Sequence, residues 1–340
     1  MATIEDVAKL AGLSRTTVSR VINNHPYVSQ TKRQQVLHAM KELGYVPNSS
    51  ARSLRNQRTG IIAVLIPRVT NLFFSKFIET LEITISKSDY QLIVCQTQYS
   101  KEKELTYLDL LKTRQIDGVI MASLENDWKE VHPYLQYGPI ILVNEYEEKA
   151  DVPTISLNQK RGAYEATEHL IKLGHKRIAY CCGQHKSNVA KEREKGFKQA
   201  LIDYQLIIDE ELTYRKADDI ESGREIIKSI IHLQKPPTAI FTGSDEVAAG
   251  IIAEAKRVGW SIPENLAVVG FDNQPIAELL QPPITTVHQP VQEMAEKAAL
   301  VLFNKIHNKV STEILSLPLK LIIRASTVGE ESEVKEMVSR

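Results

Sequence analysis

The sequence has few cysteines, few aromatic residues and no long apolar run. Three cysteines occur in 340 residues, Cys95, Cys181 and Cys182. The number is odd and two are adjacent, which argues against a disulfide framework and for a reducing compartment. All three lie in apolar runs, so buried, inert thiols are expected. No CxxC or HxxxH pairing suggests a metal site, and neither metal nor cofactor is expected. No stretch approaches ~18 consecutive apolar residues, and the N-terminus carries no charged-then-apolar leader. The expectation is a soluble, cytoplasmic chain with no membrane partner. Catalytic signatures are missing as well. There is no G-x-S-x-G elbow, no P-loop, and no G-x-G-x-x-G after the first strand of the body. An enzyme is not expected, and acidic pairs such as Asp218-Asp219 read as a solvated face.

Net charge is also lacking, with 42 Lys plus Arg against 42 Asp plus Glu. The two signs are unevenly spread. Residues 1–60 hold nine basic against three acidic side chains, and the remaining 280 hold 33 against 39. A basic head on an acidic body suits a head that meets phosphate.

That head has a definite pattern. Thr3 and Asp6 read as an N-cap with an acidic first turn, and Val7, Ala8, Leu10 and Ala11 as one apolar stripe of a short helix. Gly12 is a left-handed terminator. Ser14 can cap a second helix in which Val18, Val21 and Ile22 face the first, leaving Arg15, Thr16, Ser19 and Arg20 outward. Two short helices about a glycine turn form a helix-turn-helix pattern. In a major groove an arginine can bond guanine O6 and N7 together, and a threonine can meet a thymine methyl. Arg20 is the leading base contact, followed by Arg15 and Thr16. Ser14, Thr17, Ser19 and Asn23 suit phosphates, which set register but carry no sequence. The same pattern would serve a small helical hairpin with a solvated basic face.

A third helix, capped by Ser29, carries Val36, Leu37, Met40 and Leu43 up to Gly44. After Pro47, residues 48–58 are polar, basic and too short for a stable helix alone. Leu54 is the only large apolar side chain there. Such a residue can act as a minor-groove wedge flanked by arginine, or be incidental in a plain linker.

From Ile61 onward strands and helices alternate. Apolar runs Ile61–Pro67, Leu92–Cys95, Gly118–Met121 and Ile140–Val143 read as strands buried on both faces. Helices are expected at Phe74–Ser88, Lys101–Arg114 and Asn126–Gln136. A second half repeats the pattern, with strands Thr154–Leu157, Arg177–Cys182, Ala239–Thr242 and Leu266–Gly270. Its helices are Arg161–Leu173, Glu192–Tyr204, Ser222–Leu233 and Glu246–Val258. A last helix, Val291–His307, and strands near Ile314–Leu317 and Leu319–Ile323 complete the body. The fold class is therefore α/β: a helix-turn-helix head plus a body of two doubly wound parallel-sheet lobes. Open α/β sheets place ligands outside the carboxyl ends of their strands, and two such sheets face to face make a cleft. Residues just after strands are the candidates: Asn71, Phe73, Phe74, Asn144, Asp245 and Asp272, with Arg193 near the start of a helix. Each also has an ordinary reading, as a helix cap for the Asn and Asp residues and as core for the phenylalanines.

Three motifs occur in fixed order and spacing: Ile4-x-Asp-Val-Ala-x-x-Ala-Gly-x-Ser-x-x-Thr-Val-Ser-Arg-Val-Ile-Asn, Leu43-Gly-Tyr-x-Pro-Asn, and Ala51-Arg-Ser-Leu. In these the chain resembles the lac repressor (LacI/GalR) family of bacterial transcription regulators. Leu173-Gly-His-Lys-Arg-Ile, Arg193-x-x-Gly-Phe, Pro237-Thr-Ala-Ile, Asp245-x-x-Ala-x-Gly and Val269-Gly-Phe-Asp272 match landmarks of the family's periplasmic-binding-protein-like effector domain. The resemblance implies a homodimer on double-stranded operator DNA and a hinge helix that folds on DNA. It implies Leu54 as the minor-groove lever, with Ala51 and Arg55 beside it. Arg15, Thr16 and Arg20 would sit at base-reading positions. Asn71, Phe73, Phe74, Asn144, Arg193, Asp245 and Asp272 would line a pocket for a small effector, a sugar or sugar derivative. Two departures bear on the ligand: Asn71-Leu72 replaces the frequent Asn-Pro, and Ala217-Asp218-Asp219 has no aromatic.

The implied divisions are a head at 1–46, a hinge at 47–59, an N-lobe at 60–158 plus 290–317, a C-lobe at 159–289 plus 318–328, and a tail at 329–340. The expected function is sequence-specific transcriptional regulation, usually repression, controlled by the effector. The competing reading is a free-standing sugar-binding protein, against which the basic head speaks.

Overall fold

The computed structural model describes residues 2–23, 25–46, 58–183, 187–308 and 314–329. It divides into two compact units, Met1–Thr59 and Gly60–Arg340. The segment 47–57, which contains Ala51, Leu54 and Arg55, and the tail from 330 lie outside the described residues.

The first unit is three helices, α1 (Ile4–Ala11), α2 (Arg15–Ile22) and α3 (Gln30–Glu42). Thr3 and Asp6 form a reciprocal capping box on α1, and Gly12 ends it at φ 65°, where a side chain would be strained. Ser14 caps α2 by accepting from the Thr17 amide at 3.2 Å. Ser29 occupies the cap position of α3 but makes no side-chain cap bond. Val7, Ala8, Val18, Val21, Val36 and Ala39 form the core, with Ile22, Met40 and Leu43 packed at its edge. Leu10 and Leu37, expected in the apolar stripes, are instead about half exposed. Replacing Ser14 by alanine is expected to cost about 1 kcal/mol, read as a lower thermal midpoint of the isolated head.

The second unit has two six-stranded sheets. The first has the order β11-β5-β4-β3-β1-β2 and is parallel throughout. Its strands are β1 (Ile61–Ile66), β2 (Gln91–Gln96), β3 (Gly118–Met121), β4 (Ile140–Val143), β5 (Thr154–Leu157) and β11 (Ile314–Leu317). The second has the order β12-β10-β9-β8-β6-β7. It comprises β6 (Ile178–Cys182), β7 (Thr213–Arg215), β8 (Ala239–Thr242), β9 (Ala267–Asp272), β10 (Thr285–His288) and an antiparallel β12 (Lys320–Ile322). The central strands are covered on both faces, as their apolar runs require, while the edge strands β2, β7 and β12 are partly open to solvent. In β1, Ile62, Val64 and Ile66 enter one core while Ala63 and Leu65 enter another. In β8 and β9, Ile240 and Val268 separate in the same way from Phe241, Val269 and Phe271.

The covering helices are α4 (Leu72–Ser86), α5 (Lys101–Lys112), α6 (Trp128–Val131), α7 (Gln159–Lys172), α8 (Asn188–Asp203), α9 (Ile220–Ile230), α10 (Asp245–Arg257), α11 (Pro275–Leu279), α12 (Val291–Ile306) and α13 (Ala325–Val328). Helices α9 and α10 touch backbone to backbone at Gly250, where an added Cβ would fall 2.0 Å from the Ile220 carbonyl oxygen. The chain passes between the lobes between β5 and α7, between β10 and α12, and between β11 and β12. Helix α12 thus returns to pack on α4 in the first lobe, although it follows a strand of the second.

The single helix expected over Asn126–Gln136 is instead α6 followed by a 3-10 turn, His132–Gln136, with Pro133 at its start. Proline cannot donate into the preceding turn, so the α-helix stops there. Strands β7 and β10 and the short α11 and α13 were not expected. β7 is three residues long, and β10 is Thr-Thr-Val-His, whose polarity hides its burial.

Candidate functional site

In the head, Arg15, Thr16 and Arg20 are exposed on α2, while Thr17, Ser19 and Asn23 are half-buried. The Ser14 and Thr17 hydroxyls bond each other at 2.9 Å, and the Asn23 amide donates to the Ser19 carbonyl. Arg15 makes an ion pair with Glu5 of α1 at 2.9 Å, with both side chains about two-thirds exposed. Such a pair is weak, so Arg15 can be redirected to another acceptor at little cost.

In the body, the carboxyl ends of both sheets border one cleft, with about 950 Å³ of space that is partly open to solvent. Six of the seven expected effector residues line it: Asn71, Phe73, Phe74, Asn144, Arg193 and Asp272. Asn71 also caps α4, accepting from the Phe73 amide at 2.9 Å. Phe73 and Phe74 meet edge to face at 5.1 Å, and Phe73 belongs to the first-lobe core as well. Both the ordinary reading and the site reading therefore hold for these residues.

The polar floor is a continuous network. Arg193, on α8 and buried, donates through Nε to Gln159 at 2.8 Å and through a terminal nitrogen to the Gly243 carbonyl at 2.7 Å. Its guanidinium carbon lies 3.5 Å from the centre of the Phe271 ring, and another nitrogen stands 4.0 Å from Asp272. Gln159 donates to Asn144 at 2.8 Å and to Gln289 at 3.3 Å. Asp272 accepts from Gln289 and from Gln274. Gln159 and Gln289 sit on two of the inter-lobe crossings, so the network joins groups from both sheets through the segments that any lobe movement must bend. Burial pushes Asp272 up to about 6 and lowers Arg193, while each group's charge favours the other's.

Asp245 departs from expectation. It is fully buried inside the second lobe and is not part of the cleft wall. Its carboxyl accepts from Thr286 Oγ1 at 2.6 Å and from the Gln274 amide at 2.7 Å. Gly243 and Ser244 take the positions just after β8 that face the cleft, and Asp245, the first residue of α10, turns inward. It positions the Gln274 segment, which in turn holds Asp272. Burial, then the Asp272 charge, pushes Asp245 up to about 8. Between its ordinary value and about 8 the folded chain keeps a proton that the unfolded chain has released, so stability falls as pH rises through that window. Asp245→Asn mimics the protonated carboxyl and is expected to flatten the decline in thermal midpoint between pH 5 and pH 8.

Several lining residues were not expected: Arg68, Tyr99, Ser123, Glu125, Glu145 and Asp218. Each follows a strand, after β1, β2, β3, β3, β4 and β7 respectively. Glu145 reaches across the cleft. Its carboxylate accepts from the Ser187 hydroxyl and, at 3.1 Å, from the Asn188 amide at the start of α8. Asn188 returns a bond to the Tyr146 carbonyl at 2.7 Å. Burial pushes Glu145 up to about 7, against the pull of these donors.

Cys95, Cys181 and Cys182 are buried and unpaired, as expected, and burial pushes Cys95 and Cys182 up to about 11. Among the described residues no cluster of His, Cys, Asp and Glu could hold a metal ion, and no helix is long and apolar enough to cross a membrane.

Residues 3–48 match the profile of bacterial regulatory proteins, lacI family, and residues 167–327 that of the periplasmic binding protein-like domain. The NTD biosynthesis operon regulator NtdR of Bacillus subtilis (strain 168) is 44% identical over 329 residues, covering 96% of this chain and 100% of that protein. A LacI family transcriptional regulator from Lactobacillus casei, solved with bound sucrose, is 31% identical, with a TM-score of 0.74 over 78% of this chain and 99% of its own. The lac repressor dimer bound to operator and the anti-inducer ONPF shares the fold, with a TM-score of 0.85 over 96% of this chain and 99% of that one, at 24% identity. The chain belongs to the lacI family of bacterial regulatory proteins and is a DNA-binding transcriptional regulator with a periplasmic-binding-protein-like body.

Proposed function

We propose that this regulator acts as a homodimer, usually as a repressor, on a pseudo-palindromic operator, and that a sugar or sugar derivative in the cleft sets its DNA affinity. The observation that carries the proposal is the buried Arg193–Gln159–Asn144–Gln289–Asp272 network. Asp, Asn and Arg in a partly dry cleft exchange paired hydrogen bonds with vicinal hydroxyls, and Phe73 and Phe74 supply an apolar wall. The sucrose-bound Lactobacillus casei regulator and the operator-bound lac repressor dimer support the same reading.

In this scheme Arg20, Arg15 and Thr16 read bases, while Ser14, Thr17, Ser19 and Asn23 hold phosphates. The head is 1–46 and the hinge 47–59, with Ala51, Leu54 and Arg55 entering the minor groove. The N-lobe is 60–158 plus 290–317, the C-lobe 159–289 plus 318–328, and the tail 329–340. Effector binding changes how the two lobes close, through Gln159 and Gln289 on the crossings, and so the placement of the strand β1 from which the hinge departs. A coupling of about 1–3 kcal/mol is typical of such a device, a several-fold to hundredfold change in operator affinity.

The test is duplex binding by the full chain against genomic fragments, with bulk competitor, at fixed moderate salt and with a panel of sugars. One fragment should be preferred, and one class of sugar should change that preference by several-fold. Equal binding to every fragment, with or without sugars, rules the proposal out. For the crossing, Gln159→Leu is expected to weaken the sugar's effect on duplex affinity by about tenfold while leaving sugar-free duplex binding within twofold. An unchanged sugar effect would remove Gln159 from the coupling path.

A further inference from the structure

The turn that ends β9 has an unfavourable backbone. Asp272 and Asn273 are consecutive non-glycine residues with positive φ, 102° and 54°. The second value is one that asparagine tolerates, while the first lies beyond the left-handed helical region. Such backbone persists only where the surroundings fix it, and it gathers at binding sites. Here it carries Asp272, the last residue of β9, to the wall of the cleft.

Four bonds fix the turn. The Asn273 amide donates to Thr286 Oγ1 at 3.2 Å, and the Gln274 amide to Asp245 at 2.7 Å. The Asn273 side-chain nitrogen meets His288 Nδ1 at 3.2 Å. The Asn273 side-chain oxygen accepts from a terminal nitrogen of Arg324 at 2.8 Å. Arg324 lies 51 positions further on, beyond β12, and is buried. Its other terminal nitrogen donates to the Ile284 carbonyl at 2.9 Å. Its backbone amide and carbonyl both bond Thr285 Oγ1, each at 2.8 Å. Two residues later, Ser326 Oγ donates to the Val268 carbonyl at 2.6 Å, tying the same segment to β9. The guanidinium therefore reaches Asn273 from a base that is already held. It also donates to Glu278 of α11 at 2.9 Å, but that carboxylate is about two-thirds exposed and the pair is weak. The buried work of the fork is to hold Asn273 and the Ile284 carbonyl together, which a lysine cannot do.

We propose that Arg324 is a positioning residue for the cleft: through Asn273 it keeps the Asp272–Asn273 turn at positive φ and so aims the Asp272 carboxylate at the ligand. Arg324 does not itself line the cleft. It holds one side of the turn, as Asp245 holds the other. That Asp272 meets the effector rests on the functional reading above; that Arg324 places Asp272 does not.

The test follows the Asp272 carboxyl in the full chain by carbon NMR, with aspartate labelled at Cγ and Asp272→Asn assigning the signal. In the parent protein burial holds the carboxyl up at about 6. Two variants cut the link from opposite ends. Arg324→Lys keeps the charge and loses the fork. Asn273→Gly removes the acceptor and takes φ 54° without strain. Each is expected to release the turn, let water reach the carboxyl and lower its titration midpoint toward the ordinary carboxylate range. The double variant should shift it no further, because both changes remove the same bond. A cooperative thermal transition shows that each variant is folded, and should Arg324→Lys fail to fold, Asn273→Gly decides alone. A packing role by itself would lower the thermal midpoint and leave the Asp272 titration in place. An unmoved or raised Asp272 midpoint in the folded variants, or a double variant whose shift is the sum of the two, overturns the proposal. The effector reading falls separately, if no sugar alters duplex binding, and the Asp272 titration still decides the role of Arg324.

Discussion

Replacing Arg193 by alanine is expected to abolish the response of DNA binding to effector and to destabilise the body by about 3–5 kcal/mol. The guanidinium holds Gln159 and the Gly243 carbonyl and lies on the Phe271 ring. Removing it leaves Asp272, which is buried, without the guanidinium beside it. It also frees Gln159, and with it the link to Asn144 and Gln289. Urea unfolding monitored by circular dichroism reads the stability loss, and operator titration with and without effector reads the response. Arg193→Lys separates the two effects. A lysine can restore the charge but cannot bond Gln159 and Gly243 together while lying flat on Phe271. It should recover part of the stability and little of the response. A fully responsive alanine variant would remove Arg193 from the effector site.

The second large effect is at Arg20. Its replacement by alanine is expected to cost about 1–3 kcal/mol in operator affinity and to relax one base position. The comparison is a set of operator variants, each changed at one position, titrated against both proteins at one salt concentration. Equal loss on every variant would mark Arg20 as a phosphate contact instead. The exposed pair with Glu5 holds Arg15 only weakly and leaves it available to DNA. Glu5→Ala should leave the fold intact and change operator affinity by no more than about 1 kcal/mol, the range of an exposed ion pair.

The elements that were legible were those whose pattern is local. The Thr3 N-cap with its acidic first turn, the left-handed Gly12 and the Ser14 cap are read within four residues, and all three hold. Strands β3, β4, β5 and β8 fall at their expected limits because unbroken apolar runs between helices have only one use in a parallel sheet. What was missed was short or polar. β7 and β10 are strands only because neighbouring strands pair with them. Missing them hid Asp218 and Gln289, the cleft residues that follow each. The search for residues just after strands was applied to an incomplete set of strands. It also overreached at Asp245, since one helical residue beyond the loop the backbone has already turned the side chain inward.

The amino-acid sequence alone determined the helix-turn-helix head, the two-lobed α/β body, the regulator family and the arginines and aspartates to watch. The head and body follow from caps, periodicity and the succession of elements, which neighbouring residues specify, and the family from the resemblance of its motifs. Only the tertiary structure decided that Asp245 supports the site from within and that Gln159 and Gln289 wire the lobes together at their crossings. It alone brought Tyr99, Ser123, Glu125, Glu145 and Asp218 to the wall of one cleft. Those groupings join residues up to 130 positions apart, as in the Gln159–Gln289 bond, and no local pattern encodes a contact made only when two sheets present their carboxyl ends to one another.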